Sequence, residues 1–235
     1  KIIIIGAGAM GSAFAVPCLE NKNEVTLVGT HLEDELINNI QLNNNFHPAL
    51  NVELPSKLKV EKFEKLKVIL DEGVDVIVAG VSSIGIEWFV HQIEKSYKKN
   101  IPIILLTKGL AIEENELMTL SDKIKKLLKK NGHTKVNVSA IKGPCLAAGL
   151  ANKMRTGTVI ANPDIKETEL LKKIIATDYY STEISDDLTG VELAGAIKNI
   201  YSMLIGASEG LSNSKASKEI QSKYYLNTSA SLIHR

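Results

Sequence analysis

The amino end of the chain combines a run of four isoleucines with a glycine-rich turn. Ile2–Ile5 predicts a strand of a parallel sheet covered on both faces, because β-branched side chains fit such sheets. The spacing Gly6-x-Gly8-x-x-Gly11 follows at once and leads into a helical pattern. There the first glycine allows a tight turn, the second leaves room for a pyrophosphate, and the third lets the helix pack on the strand. Together they predict a dinucleotide-binding site at the helix amino end.

The second predicted strand ends at a turn that bears on the choice of dinucleotide. An acidic residue at this place commonly binds the ribose 2′-hydroxyl and favours NAD. Here Gly29 and Thr30 occupy the turn, and Glu33 falls in the next predicted helix. No arginine is placed to bind a 2′-phosphate either. The turn therefore leans toward NADP without deciding between NADP and NAD.

Strand and helix patterns then alternate along the chain to about residue 185. This alternation predicts an α/β fold, a Rossmann-like doubly wound parallel sheet formed by residues 1–185. Ligands of such sheets collect beyond the carboxyl ends of the strands. Four strand ends that are glycine-rich or polar should therefore face one crevice, at residues 6–11, 81–83, 107–109 and 143–145.

Residues 186–235 carry a helical pattern and are predicted to be the first, incomplete part of an all-α substrate domain. Thr189 and Glu192 fit a capping box that would open its first helix. The predicted core face of that helix is formed by Leu193, Ile197, Ile200 and Leu204. A second helix is predicted around Leu226, Ala230 and Ile233, and its pattern still runs at Arg235, which indicates the front portion of a longer protein.

Two lysines are candidates for chemistry. Lys198 lies among apolar and small residues of the predicted helix, so loss of hydration should lower its pKa and suit it to general acid–base catalysis. The alternative is a lysine that reaches water from the helix surface. Lys108 follows a strand and precedes a glycine, where a cation could hold a phosphate or polarise a carbonyl. A solvated loop lysine is the alternative there.

Composition excludes several classes of function. With 28 basic and 27 acidic residues, nothing draws the whole chain to nucleic acid. The five histidines and two cysteines show no metal-ligand spacing, so no metal site is predicted. Cys18 and Cys145 are too few for a disulfide framework, which indicates a cytoplasmic setting, and no apolar stretch reaches the length of a membrane span.

Four stretches, taken together and in order, resemble the NAD(P)-dependent glycerol-3-phosphate dehydrogenases. They are residues 6–11, 107–110, 143–147 and 190–199, and residues 227–235 add a fifth similar stretch. The resemblance implies hydride transfer between NAD(P)H and dihydroxyacetone phosphate, giving sn-glycerol 3-phosphate, a precursor of phospholipids. It also implies a homodimer. Ketopantoate reductase, another two-domain NAD(P)-dependent reductase, and a nucleotide-binding module without catalysis are the alternative interpretations.

The resemblance implies a role for each matching residue. Lys198 would be the proton donor and acceptor at the central oxygen of the substrate, and Lys108 would touch both substrate and cofactor. Gly143 and Cys145 would border the substrate. The cofactor would be bordered by Gly6, Gly8, Ala9, Met10, Gly11, Thr30 and Ala147.

The chain departs from the family pattern at three places. Cys145 stands where the family commonly has serine or threonine, and Ser82 stands where it commonly has proline. Gly149 stands where it commonly has glutamate. Family members also continue into a helical region that brings an aspartate and an arginine–asparagine pair to the substrate phosphate, and that region follows beyond Arg235.

Overall fold

The run of four isoleucines forms a central strand of the sheet. In the computed structural model, which describes residues 1–97, 101–113 and 115–211, Ile2–Ile5 is buried along its whole length. It pairs in parallel with Val25–Val28 on one side and with Val76–Ala79 on the other. This double coverage is the environment that the β-branched run predicts.

Twelve strands and eight helices are described. The strands are β1 Ile2–Ile5, β2 Val25–Val28, β3 Phe46–His47, β4 Val52–Glu53, β5 Lys59–Glu61, β6 Val76–Ala79, β7 Ile103–Leu105, β8 Leu110–Glu113, β9 Glu116–Thr119, β10 Val138–Lys142, β11 Thr156–Ala161 and β12 Tyr180–Ser185. The helices are α1 Ala9–Glu20, α2 Asp34–Leu42, α3 Leu66–Glu72, α4 Ile86–Ile93, α5 Leu120–Lys130, α6 Ala147–Ala151, α7 Ile165–Ile175 and α8 Leu188–Leu211, with a short 3-10 turn at Phe63–Lys65.

Eight strands form the main sheet, in the order β12-β11-β10-β7-β6-β1-β2-β5. One face is covered by α1, α2, α6 and α7, whose apolar residues share a core with Ile2 and Ile4. The other face is covered by α3, α4 and α5, which share a core with Ile3 and Ile5. Helices on both faces of a mostly parallel sheet confirm the predicted Rossmann-like α/β fold.

The sequence predicts a parallel sheet, but the observed sheet is not parallel throughout. β11 runs antiparallel to β10, and β12 then runs parallel to β11. The only helix between β10 and β11 is α6, with five residues. It covers about 7 Å, whereas the five residues of β10 cover about 16 Å. The helix is therefore too short to carry the chain back along the whole strand, and β11 starts at the edge where β10 ends.

Two local predictions are wrong. The apolar pattern of Leu117–Leu128 predicts one helix, but α5 begins only at Leu120, because Leu110–Glu113 and Glu116–Thr119 first pair as the antiparallel strands β8 and β9. The predicted capping box of α8 does not form. Instead the Asp187 carboxylate accepts a hydrogen bond of 2.7 Å from the N–H of Gly190, while Glu192 accepts one from Ser121.

The helix α8 begins just after Ser185, where the sequence places the end of the first domain. Three of the four residues predicted as its core face, Ile197, Ile200 and Leu204, are 38%, 54% and 57% exposed. Residues 212–235, with the second predicted helix at Leu226, Ala230 and Ile233, lie outside the described residues. The division into two domains therefore stays a prediction. None of the helices that the structure describes is long and apolar enough to cross a membrane.

Candidate active site

The glycine turn between β1 and α1 uses its three glycines differently. Gly6 has a φ of +109°, and a Cβ there would lie 2.7 Å from the backbone of Gly80. A Cβ at Gly11 would lie 2.2 Å from the carbonyl oxygen of Gly6. Among the described residues, a Cβ at Gly8 would meet only the Glu33 Oε1 atom, at 3.9 Å. The protein's own backbone thus requires Gly6 and Gly11, whereas Gly8 leaves space open for a ligand.

Two side chains hold the carbonyl of Ala7 in this turn. The Ser12 hydroxyl donates to it at 2.9 Å, and His47 Nε2 lies 3.0 Å from it. His47 Nδ1 accepts a hydrogen bond from the Leu50 N–H, so the ring proton is on Nε2. His47, a buried residue in β3, therefore supports the turn, and its place in the sequence gave no signal of that role.

An acidic group also lies at the turn after β2, which corrects the sequence interpretation that none is present. Glu33, directly before α2, directs its carboxylate back along the sheet edge. Its Oε2 atom accepts hydrogen bonds from the N–H of Ala7 at 3.0 Å and of Thr30 at 2.7 Å. The predicted cofactor residue Thr30 thus lies beside the glycine turn. The turn no longer favours NADP, because the carboxylate takes the place of the expected acidic residue.

Four of the predicted site residues meet in one small cavity at the carboxyl ends of the parallel strands. Met10 from α1, Lys108 after β7, and Gly143 and Cys145 after β10 line it, with a volume of about 20 Å³. Its remaining lining residues are Leu106, Ile141, Thr158 and Tyr180. Three of the four predicted strand ends therefore contribute to this cavity, and residues 81–83 are not among its lining residues.

Thr158 and Tyr180 are residues that sequence reasoning missed. They lie near the amino ends of β11 and β12, and the rule of carboxyl strand ends does not select such positions. They reach the cavity because these two strands run opposite to β10.

Burial raises the pKa of Tyr180 and of Cys145, so both lining groups stay protonated at neutral pH. A protonated Cys145 thiol fits a lining role and not that of a nucleophile.

The remaining predicted cofactor residues lie on the two helices that pack together beside the turn. Ala9 and Met10 open α1, and Ala147 opens α6. All three pack, half-buried, against the same core. A ligand at the amino end of α1 would therefore lie close to the segment that carries Gly143 and Cys145.

The two lysines predicted for chemistry lie on different elements. Lys108 lines the cavity, whereas Lys198 is half-buried on α8 and is not among the lining residues. Lys198 lies one helical turn after Gly195, on the same face of α8. Gly195 packs against the side chain of Lys142, the residue directly before Gly143. That contact brings α8 to the carboxyl end of β10, on the face of the sheet opposite to the cavity-lining Ile141.

Lys142 is a buried lysine that sequence reasoning did not select. Lys142 belongs to β10 and is only 4% exposed. Its pKa is lowered to about 8, mainly by burial. The nearby Lys108 contributes to this lowering, while Glu192 opposes it. Lys142 is thus a deeply buried lysine next to the predicted site residue Gly143.

Among the described residues, no group of three or more His, Cys, Asp or Glu side chains could hold a metal ion. The geometry instead combines an open glycine turn, a helix amino end and a cavity with a lysine beside it. Fold and site together define a Rossmann-type nucleotide-binding domain. Residues 1–168 match the family model described as the NAD-dependent glycerol-3-phosphate dehydrogenase N-terminus. The chain therefore belongs to the glycerol-3-phosphate dehydrogenase family.

Curated relatives agree with this assignment. An NADP(+)-dependent glycerol-3-phosphate dehydrogenase of Archaeoglobus fulgidus is 34% identical over 216 residues, which cover 91% of this chain and 62% of the relative. A glycerol-3-phosphate dehydrogenase [NAD(P)+] of Wigglesworthia glossinidia brevipalpis is 30% identical over 212 residues, 90% of this chain and 61% of the relative. The chain thus spans about three fifths of the length of these relatives.

Solved structures support the same fold. A glycerol-3-phosphate dehydrogenase from Coxiella burnetii matches with a TM-score of 0.78 at 23% identity, over 96% of this chain and 66% of that one. A ketopantoate reductase from Ralstonia eutropha JMP134 matches with a lower TM-score of 0.61 at 17% identity, over 98% of this chain and 73% of that one. The family match therefore does not favour the ketopantoate reductase alternative.

Proposed function

We propose that the protein containing this chain is an NAD(P)-dependent glycerol-3-phosphate dehydrogenase. It would interconvert dihydroxyacetone phosphate and sn-glycerol 3-phosphate. One observation carries the proposal beyond family membership: Lys108, Gly143 and Cys145 share a cavity with Met10, which belongs to the helix that follows the glycine turn. The residues to which the resemblance gives substrate and cofactor roles therefore lie beside one another, which supports a reaction between two bound molecules.

The residues of the turn fit a dinucleotide. Gly8 leaves open the space that a pyrophosphate needs, and α1 presents its unpaired N–H groups there. Gly6, Gly8, Ala9, Met10, Gly11, Thr30 and Ala147 would hold the cofactor, and Glu33 would face its adenosine ribose. When bound, NAD(P)H supplies the hydride. The names of the relatives include both NADP(+)-dependent and NAD(P)+ enzymes, so kinship alone leaves the cofactor open.

Two lysines would act on the carbonyl oxygen of dihydroxyacetone phosphate. The Lys108 ammonium stabilises negative charge that develops on this oxygen during reduction. Lys198 Nζ donates a proton to the same oxygen, and in the reverse direction it accepts the proton from the hydroxyl of glycerol 3-phosphate. Both cations also attract the dianionic phosphate of the substrate.

The same proposal extends to the setting of the enzyme. We place it in the cytoplasm as a homodimer that supplies glycerol 3-phosphate for phospholipid synthesis. The two cysteines support a reducing compartment, since both are free and buried. Sedimentation of the purified protein tests the dimer directly.

Steady-state oxidation of NADH and of NADPH with dihydroxyacetone phosphate tests the activity. We expect absorbance at the nicotinamide band to fall only when the phosphorylated substrate is present. Dihydroxyacetone without its phosphate is the matched control. Oxidation of either dinucleotide with ketopantoate but not with dihydroxyacetone phosphate would contradict the proposal.

A further inference from the structure

Lys142 joins two neighbouring strands of the sheet through a buried ammonium group. Its Nζ atom donates hydrogen bonds to the carbonyl oxygens of Leu105, at 3.2 Å, and of Thr107, at 2.5 Å. These carbonyls lie at the end of β7, and Lys108 follows directly. The Thr107 hydroxyl in turn donates to the carbonyl of Val81 at 2.6 Å. The backbone that leads into Lys108 is thus held by polar contacts from both sides.

The same side chain supports α8 at its closest approach to the sheet. A Cβ built at Gly195 would lie 3.1 Å from Lys142 Cδ and 3.2 Å from Lys142 Cγ. A residue with a side chain would therefore push against the lysine. Gly195 allows the backbone of α8 to rest on the aliphatic part of Lys142. Because Lys198 lies one turn further on this face, Lys142 also sets how close Lys198 comes to the strand ends.

The charges around Lys142 keep its ammonium in this place. Glu192, on α8 and 1% exposed, attracts it, and Lys108 repels it. One Glu192 oxygen accepts a hydrogen bond from the Ser121 N–H at 3.2 Å, and the other is buried without a hydrogen-bond partner among the described residues. A buried ammonium between two carbonyl oxygens and a carboxylate loses its favourable contacts if it moves.

We propose that Lys142 is a positioning residue, which holds the backbone of Lys108 at the cavity and fixes the distance of α8, and with it Lys198, from the strand ends. Lys142 is too buried to touch the substrate, so it acts through the two other lysines. The inference rests on the proposed dehydrogenase activity for its kinetic consequence only. Its structural consequence is measurable without turnover.

Gly195→Ala is the sharpest test, because it displaces Lys142 while favouring the helix. A purely structural view of Gly195 expects equal or higher thermal stability and unchanged catalysis, since alanine is the better helix former. The positioning role expects kcat to fall about threefold to fivefold, because a misplacement of about 1 Å costs about 100-fold and the clash is a few tenths of that. The Kd for NADH should stay within about twofold, because α8 does not carry the glycine turn.

Gly206→Ala is the matched control on the same helix, since a Cβ there meets no atom of the described residues within 4 Å. We expect it to leave kcat unchanged. Lys142→Met is the second variant, with an expected loss of about 10- to 100-fold in kcat at a temperature where the variant is folded. A folded Lys142→Met protein with the kcat of the unmodified protein would overturn the positioning role. So would a Gly195→Ala protein with unchanged kcat.

An NMR comparison keeps the inference testable whether or not the protein turns over. The amide resonances of Thr107, Lys108 and Gly109 should shift in Gly195→Ala and stay in place in Gly206→Ala. If the unmodified protein shows no turnover but these shifts occur, the proposed activity fails and the positioning contact stands. Amide resonances that do not respond to Gly195→Ala would overturn the contact itself.

Discussion

The carboxylate of Glu33 reaches back from the start of α2 and accepts a hydrogen bond of 3.0 Å from the backbone N–H of Ala7 in the glycine turn. One oxygen is held in this way, and the other faces the space that Gly8 leaves open. A fixed negative charge therefore borders the place where the adenosine ribose of a dinucleotide would lie. A single substitution of Glu33 can therefore test what sets the preference of the protein for NADH or NADPH.

We expect Glu33→Gln to raise the affinity for NADPH relative to NADH. The two dinucleotides differ only by the 2′-phosphate, which the carboxylate repels. Removing one charge about 4 Å away is worth about 1 kcal/mol or more, so the ratio of the two Kd values should change by about fivefold or more. Fluorescence titration of the protein with each dinucleotide measures both values.

Glu35→Gln is the control for this substitution, because Glu35 is exposed and carries the same charge two residues further on. It should leave the ratio unchanged. If both variants change the ratio equally, the effect comes from net charge and not from the contact of Glu33 with the turn.

A pair of glycine substitutions should separate folding from binding. Gly8→Ala is expected to keep the thermal stability of the protein, since its Cβ meets nothing closer than 3.9 Å. It should weaken NADH binding, because the methyl group enters the space for the pyrophosphate. Gly11→Ala places a Cβ 2.2 Å from the Gly6 oxygen. It should therefore cost about 3 kcal/mol or more of stability. Thermal melts with and without NADH measure both effects, and equal losses of stability would contradict this division.

Lys198→Ala should abolish turnover and leave cofactor binding nearly intact. Loss of a general acid typically costs about 100- to 10,000-fold in kcat. The Kd for NADH should change little, because the glycine turn lies on other elements. Lys166→Ala is the control, since this lysine of α7 is exposed and lies outside the site. A Lys198→Ala protein that keeps full turnover would show that another group moves the proton.

The pH dependence of stability should report the burial of Lys142. Its pKa is lowered from 10.5 to about 8 in the folded protein. Between these pH values the unfolded chain binds more protons at this site than the folded protein does, so the free energy of unfolding rises with pH. The rise at this site amounts to at most about 3.5 kcal/mol, since each pKa unit is worth about 1.4 kcal/mol.

Comparison with Lys142→Met isolates this contribution. Groups with raised pKa values, such as Cys18 and Tyr180, act in the opposite direction and are common to both proteins. The difference in unfolding free energy between the two proteins should therefore change steadily from pH 8 to 10.5. Denaturant unfolding across that range measures it, and a constant difference would mean that Lys142 titrates normally in the folded protein.

Much of the fold could be predicted from residues that act locally. The isoleucines of β1 and the glycines after it predict a buried strand and a close turn, because residue type and spacing within one short stretch carry both signals. The direction of β11 could not be predicted in this way. It depends on the length of the connection through α6, and alternating strand and helix patterns look the same for either direction.

The candidate site also contains both residues that the sequence predicts and residues that it does not. Lys108, Gly143 and Cys145 follow strand ends, and the topology brings them together as predicted. Glu33 and Lys142 were missed because their roles depend on where long side chains point. The Glu33 carboxylate returns to the turn from the start of a helix, and the Lys142 ammonium extends inside the sheet edge to the neighbouring strand.

The close approach of Gly6 to Gly80 links the site to the order in which the chain is made. β1 and the glycine turn leave the ribosome before β2 and β6, yet β1 lies between these two strands in the sheet. The Gly80 backbone, against which Gly6 packs, is in place only after Val76–Ala79 has paired with β1. A nascent chain that ends before Gly80 therefore contains the whole glycine motif but cannot form the turn as the native sheet does. Dinucleotide binding should thus appear only when strands distant in sequence have paired, and not as soon as the glycine motif itself has been made.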